Sequence, residues 1–395
     1  MPPPDDSRVA PDTVTVEVVE SMADLNPDHW NALSGGRYPF LTHAFLKAAE
    51  STGCVAPHTG WLPRHLVIHD DEGGIRAAMP LYEKSHSWGE FVFDWAWANA
   101  YERAGLSYYP KLVSAAPFTP AQSPRLLRVD PNDDAAGRAL VTAAVRLAQE
   151  LGHSSLHVQF PLPEERRLFE EAGLKLRKGC QFHWRNRDYR DFDDYLRSFS
   201  AKKRKNARRD RRLVRDQGIR FRWLSGDELD DTTWATVFEL ISRTFLKRGS
   251  MPYYDLPFFR EISERQPGSV LVIAAVREGE MIAAAVFFRG EDTLYGRYWG
   301  SDGDYDALHF ETCYYQGIDF CIHHGLKCFE PGTQGEHKIS RGFEPVTTWS
   351  AHWLAQPAFF EAVGDALDRE SLHVDDYIDA VRQHSPFRRA TDNDT

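Results

Sequence analysis

The hydrophobic positions of this 395-residue chain change period repeatedly, and one succession of periods occurs twice. Val14, Val16 and Val18 stand at alternate positions and predict a strand. Helical spacing follows over residues 28–33 and 42–51, and apolar strands at 65–69 and 76–83 flank the turn from Asp70 to Gly74. Phe91, Phe93, Trp95 and Trp97 alternate, which predicts a strand over 91–98, with another at 111–114. A helix at 135–151, closed by Gly152, leads to a strand at 155–160 and a helix at 164–172.

After an acidic segment at 189–194 and a basic stretch, a similar order returns. A strand at 219–224 precedes helices at 232–247 and 257–264, and strands follow at 269–277, 281–289 and 293–299. A helix at 308–324, ended by Gly325, and a strand at 327–330 complete the pattern. The expected fold is α/β (α+β), two tandem modules, each a mixed, mostly antiparallel sheet flanked by helices. The expected boundaries are a disordered Pro- and Asp-rich leader over 1–12, a first module over 13–190, and a second over 191–395 opened by a basic helix at 202–215.

Composition narrows the function classes. Hydrophobic residues make up 42% of the chain and aromatics 13%, enough for a large core and two domains. The start Met1-Pro-Pro-Pro-Asp-Asp carries acid where a secretory signal carries positive charge. No apolar run reaches the roughly 20 residues that span a bilayer, so a cytoplasmic chain without an integral membrane segment is expected. Cys54, Cys180, Cys313, Cys321 and Cys328 are odd in number and form no CxxC pair, which predicts reduced packing residues and no metal. A net charge of -11 opposes indiscriminate coating of nucleic acid, and no DNA partner is expected. Residues 202–215 nevertheless hold nine cations in fourteen positions, with Asp210 the one acid among them. Such a helix on an acidic protein suits one phosphate-bearing ligand at one place. The alternative is a solvated face paired with Asp191, Asp193 and Asp194.

Several long segments carry a family resemblance. In the first half they are Thr59-Gly-Trp-Leu-Pro-Arg-His-Leu, Ala78-Met-Pro-Leu-Tyr-Glu-Lys, Val92-Phe-Asp-Trp-Ala-Trp-Ala, Ala100-Tyr-Glu-Arg-Ala-Gly-Leu-Ser-Tyr-Tyr-Pro-Lys-Leu and Pro117-Phe-Thr-Pro. In the second they are Arg297-Tyr-Trp-Gly, Leu308-His-Phe-Glu-Thr-Cys-Tyr-Tyr-Gln-Gly-Ile and Phe329-Glu-Pro-Gly-Thr-Gln-Gly-Glu-His-Lys, continuing to Arg341-Gly-Phe-Glu-Pro. Over about residues 39–352 the chain resembles the FemAB-like family of peptidoglycan biosynthesis or recognition proteins within the GNAT superfamily of N-acyltransferases. The resemblance implies tandem GNAT-like modules whose sheet splays between its fourth and fifth strands. It also implies transfer of an acyl or aminoacyl group from acyl-CoA or charged tRNA to an amine or a peptidoglycan precursor, the donor being a co-substrate and no other cofactor being required. The segment from Ser200 to Arg209 looks like the basic helix that introduces the second module in Fem-type transferases, which places Arg204, Arg208 and Arg212 on the donor side.

A GNAT acetyltransferase cradles the CoA pyrophosphate with a glycine-spaced loop, and the matching turn here is Gly300-Ser-Asp-Gly-Asp-Tyr-Asp-Ala-Leu-His. Its three aspartates repel a pyrophosphate, which favours a Fem-type or non-standard donor.

Amide formation needs a neutral amine, a group to accept its proton and a donor to the oxyanion. With no Gly-x-Ser-x-Gly motif present, direct attack by the amine is expected rather than an acyl-enzyme. Glu330, Glu336, His337, Lys338 and Arg341 lie within twelve residues beside Gly332, Gly335 and Gly342. His337 or Glu330 is the expected general base, and Lys338 with Arg341 the anchors for phosphate or carboxylate. His309 and Glu311 are two residues apart, about 200° round a helix, so one enters the site while the other faces away. Glu311 is counted with the catalytic candidates, and His309 and Trp299 with the donor side. Asp94, in the expected strand 91–98, together with Trp97, Tyr101, Glu102, Arg103 and Tyr109, forms the candidate acceptor side. Core packing accounts equally for the aromatics. A recognition module without chemistry and a natural-product amide synthase remain the alternatives.

Overall fold

Two strands that the hydrophobic pattern does not announce organise the molecule. In the computed structural model, which describes residues 14–388 apart from Gln334, Lys175–Arg185 and Glu344–Leu354 pair antiparallel along most of their lengths. The leader expected at 1–12 lies outside the described residues. From this pair an eleven-stranded sheet extends both ways. On one side lie Cys328–Glu330, Thr293–Ser301, Glu280–Arg289, Val270–Arg277 and Arg220–Ser225; on the other lie Ser155–Gln159, Lys111–Ser114, Tyr82–Lys84 and Trp61–Pro63. A second sheet of four strands holds Glu17–Val19, His65–His69, Ile75–Met79 and Leu127–Arg128. The fold is thus mixed α/β, with mostly antiparallel sheets flanked by helices.

Two neighbouring pairs in the large sheet are parallel, Thr293–Ser301 with Cys328–Glu330 and Lys111–Ser114 with Ser155–Gln159. A parallel pair needs a crossover, and each is crossed by a helical segment, 308–323 in one case and Asp134–Glu150 in the other. The two halves also share one apolar core, in which Phe40 and Phe45 pack edge-on against Phe288 and Phe258 at 5.1 and 5.2 Å between ring centroids.

Two expected strands are corrected. The run 76–83 divides at Pro80 into Ile75–Met79 and Tyr82–Lys84, which join different sheets, because proline supplies no N–H to a ladder. Residues 91–98 form a bend that enters the helix Trp95–Arg103. Trp97, Ala98 and Tyr101 pack on one helical face, and the alternating aromatics upstream imitate a strand only by spacing.

One glycine is set by contact. The helix Asp231–Leu246, capped by the Asp230 carboxylate accepting from the Thr233 N–H, buries Trp234, Val237, Leu240 and Ile241 at helical spacing. It lies so close to Thr293–Ser301 that a Cβ on Gly300 would fall 2.0 Å from the Leu240 carbonyl carbon. Gly300 therefore serves helix packing rather than a phosphate cradle. Gly300→Ala is expected to cost about 3 kcal/mol, read as a lower denaturant midpoint at unchanged slope.

Candidate functional site

The strands Thr293–Ser301 and Cys328–Glu330 pair only through Thr293–Cys328, Leu294–Phe329 and Tyr295–Glu330, and then part. Two local features end the pairing. Gly296 and Tyr298 face consecutive residues of the preceding strand, so Arg297 is the extra residue of a bulge, which bends the strand and re-aims its side chain. Pro331 follows Glu330 and cannot donate to a ladder. Backbone beyond Tyr295 is left open on this side, at the place where the sheet was expected to splay.

Glu330 stands at the fork, 6% exposed, with Oε2 lacking any hydrogen-bond partner. Burial raises its carboxyl to about 7, against the opposing pull of Arg297, Arg185 and the Gln122 backbone amide. Nε and Nη2 of Arg297 are buried and unpaired too, while its Nη1 donates to the Gly296 carbonyl at 2.8 Å. His183 Nδ1 lies 3.9 Å from Glu330 Oε1, and burial pushes this imidazole down to about 3. Ligand atoms of His183, Cys328 and Glu330 fall within 4.8 Å of one another, a spacing that a metal ion can use. Arg185, Arg297 and Lys338 all act on His183, so the pocket favours an added negative charge over a further cation.

The glycine-rich stretch after Pro331 carries the other expected residues. Lys338, 2% exposed, donates to the Gly332 carbonyl at 2.7 Å, and burial, reinforced by Arg297, lowers its ammonium to about 7. Arg341 donates to the His337 carbonyl at 2.6 Å and stacks 3.5 Å from the Phe310 ring centre. Both brace the loop through these carbonyls, while Arg341 also lies 3.6 Å from Asp210 and keeps a buried Nε without a partner. His337 is exposed, and its Nε2 sits 2.8 Å from the Tyr314 hydroxyl. His309 packs among Trp299, Tyr314 and His337, and burial, with help from the cations around it, lowers it to about 4. Thus His337, Lys338, Arg341, His309 and Trp299 gather on one side of the segment 308–323.

Glu311 does not join them. Residues Glu311–Tyr315 form a π-helical turn, and Glu311 turns to the opposite side, where Oε1 accepts from Arg211 Nε at 3.1 Å and from Gln316 at 2.8 Å. Its Oε2 is buried and unpaired beside a cavity of about 720 Å³. That cavity is walled by Arg208, Arg211, Arg212 and Arg215 of the basic helix Ala201–Asp216, by Phe192 and by Phe221. Ala207 and Val214, two turns apart, are the helix's buried residues, so its cations surround a narrow apolar stripe. Arg204 donates to the Phe199 carbonyl and Arg208 pairs with Asp193 at 3.1 Å. Asp194 instead pairs with Arg190 and Arg197. Among the described residues no ion pair engages Lys202, Lys203, Lys205, Arg212 or Arg215, so pairing neutralises the helix only in part.

On the acceptor side, Asp94 is buried, not on a strand face. Burial alone would raise its carboxyl, yet the Lys111 ammonium bonded to it holds it at about 2. Lys111 also donates to Glu90 at 2.9 Å and Ser87 at 2.8 Å, and Tyr108 donates to Asp94 at 2.7 Å. His157 and His352 share a 2.7 Å bond between their Nδ1 atoms, with the Trp97 ring against both. Tyr109 bonds Ser87, and Tyr101 lies against Tyr108 and Phe359. Glu102 and Arg103 are exposed at the helix end and stand apart, because helical spacing turns them away from the Tyr101 face. Lys111, Glu90, His157, His352 and Arg297 were not singled out from sequence. Arg297 and Lys111 lie inside quoted motifs, whereas His157 and His352 come from strands whose polar residues disguise their position.

The family model described as FemAB-like, peptidoglycan biosynthesis/recognition, matches residues 21–389. No curated protein matches the chain in sequence. Among solved structures, FemX is 11% identical with a TM-score of 0.56, over 88% of this chain and 100% of that one. The C-terminal domain of a putative lysylphosphatidylglycerol synthetase from Agrobacterium fabrum is 11% identical with a TM-score of 0.55, over 88% of this chain and 97% of that one. At these identities the likeness is one of fold.

Proposed function

The chain belongs to the FemAB-like family, and from that premise we propose that it is an N-acyltransferase in which an acceptor amine attacks an activated aminoacyl ester directly. The observation that supports this most is Glu330: a buried carboxyl raised to about 7, one oxygen unpaired, at the fork of the two strands, paired with Tyr295 and within the field of the Arg297 guanidinium. Such a group takes the proton that the amine loses as the amide bond forms. The open backbone beyond Tyr295 and the Arg297 guanidinium supply donors for the oxyanion of the tetrahedral intermediate. The alcohol of the ester leaves with a proton, so the reaction balances without a covalent enzyme intermediate.

The donor in this reading is charged tRNA, with phosphates on the arginine ridge of Ala201–Asp216. The turn at 301–307 speaks against a CoA pyrophosphate, since Asp302, Asp304 and Asp306 are exposed there and Ser301 closes the turn onto the Gly303 carbonyl. The acceptor is an amine, a peptidoglycan precursor in the family's biosynthetic setting, entering between the halves where Gln122 of the first approaches Glu330 of the second.

Calorimetry with bulk charged tRNA and, separately, acetyl-CoA tests the donor. Tight tRNA binding that weakens with salt, with no heat from acetyl-CoA, is the expected result. Binding of acetyl-CoA alone would overturn the aminoacyl reading and return the chain to acetyl transfer.

A further inference from the structure

Two loops present large apolar side chains to solvent side by side. In the first, Trp88 is 65% and Phe93 61% exposed; in the second, which starts from the end of the helix Asp231–Leu246, Leu246 is 59% and Met251 61% exposed. The loops meet through Phe91 and Tyr253, whose ring centroids lie 5.8 Å apart, and Tyr253 stacks on Phe118 at 5.1 Å. Gly89 packs on the same Phe118, since a Cβ there would come within 2.5 Å of that ring. The exposed side chains are therefore carried on a packed base that crosses from one half of the chain to the other.

Charge on the two loops is of one sign. Lys247 and Arg248 are exposed beside Leu246, and residues 246–254 contain no acid. Across 85–97 the acids are Glu90 and Asp94, which are buried and bound to Lys111. On a chain of net charge -11 this is a local reversal. Scattered exposed apolar residues need no explanation, but four on adjoining loops, with tryptophan among them and cations alone at the surface, match the make-up of a peripheral membrane contact. Repulsion from the rest of the acidic protein fades within a Debye length of about 8 Å, whereas the loops touch the surface directly.

We infer that the rim formed by Trp88, Phe93, Leu246 and Met251, with Lys247 and Arg248, docks on an anionic phospholipid bilayer. The proposal goes beyond the transfer reading and does not depend on it, since bilayer binding is read with no donor or acceptor present.

The test is flotation of the full chain with vesicles of phosphatidylcholine containing phosphatidylglycerol, against phosphatidylcholine alone. The expected result is binding that requires phosphatidylglycerol. Lys247→Ala with Arg248→Ala should weaken it roughly thirtyfold, from about 1 kcal/mol per cation. Leu246→Ser with Met251→Ser, and separately Trp88→Ser with Phe93→Ser, should each weaken it more than about tenfold. Circular dichroism confirms that the variants fold. No flotation, or flotation indifferent to all three pairs, overturns the proposal. So does a dimer in sedimentation velocity that Leu246→Ser with Met251→Ser dissolves, which would assign the rim to a second copy of the chain.

Discussion

Glu330→Gln is expected to lower turnover by about 10²- to 10⁴-fold, the range for losing a general base, while donor affinity stays within about twofold. The substitution keeps the shape of the side chain at the fork and removes only its ability to take a proton. The wild-type pH profile carries the second half of the expectation. A base works when ionised, and burial raises this carboxyl to about 7, so kcat/KM should climb as pH rises through about 7 and level above it. In Glu330→Gln that limb should vanish. Lys338 also titrates near 7, but Lys338→Met removes a bond to the Gly332 carbonyl and should perturb binding as well as rate, which separates the two groups. His337→Gln is the control for the other candidate base: exposed and tied to Tyr314, it should cost less than about tenfold. If His337→Gln loses the activity and Glu330→Gln keeps it, the base is His337 and the fork has another purpose.

The difference between these two residues shows how far the sequence reaches. Glu330 and His337 read alike in the chain, as a carboxylate and an imidazole near glycines. What distinguishes them is burial, which comes from strand neighbours nearly 150 residues upstream: Cys328 and Phe329 pair with Arg185 and Trp184. Most helices and strands were legible because each buries one face, as Trp234, Val237, Leu240 and Ile241 do at helical spacing. The central strands Lys175–Arg185 and Glu344–Leu354 were not. Residues 181–184 and 350–352 are buried consecutively, on both faces, and the buried positions include Gln181, His183, Thr348, Ser350 and His352, so the period-2 signal is lost. The bulge at Arg297 has the same character, because one extra residue in a strand leaves no mark in composition. Asp94 was legible as a polar residue among aromatics, but its partner Lys111 lies in the strand Lys111–Ser114 and fixes its role as half of a buried ion pair. The opposed directions of His309 and Glu311, by contrast, follow from helix geometry alone.

Reversing Arg204, Arg208 and Arg212 to Glu is expected to abolish most of the salt dependence of donor binding and to weaken it on the order of a hundredfold or more at low salt. The three residues recur every fourth position along Ala201–Asp216 and so share one stripe, and Arg208 and Arg212 also wall the 720 Å³ cavity. Each phosphate neutralised contributes about 0.7 to 0.9 to the slope of log affinity against log salt, so removing three contacts should flatten it by about 2 to 3. A donor held through a compact pyrophosphate has a shallower slope to begin with. Net charge alone is controlled by placing the same reversals at Arg138, Arg146 and Arg167, exposed on the helices Asp134–Glu150 and Arg166–Glu171 of the first half. These should shift affinity modestly and leave the slope intact, since long-range repulsion is screened while a direct contact releases counterions. Arg211 is left unaltered because it is committed to Glu311 and Asp319, and losing it would strand a buried carboxylate. If the stripe and the control behave alike, the basic helix is a solvated face and the donor lies elsewhere, even though Glu330 retains its part in the transfer.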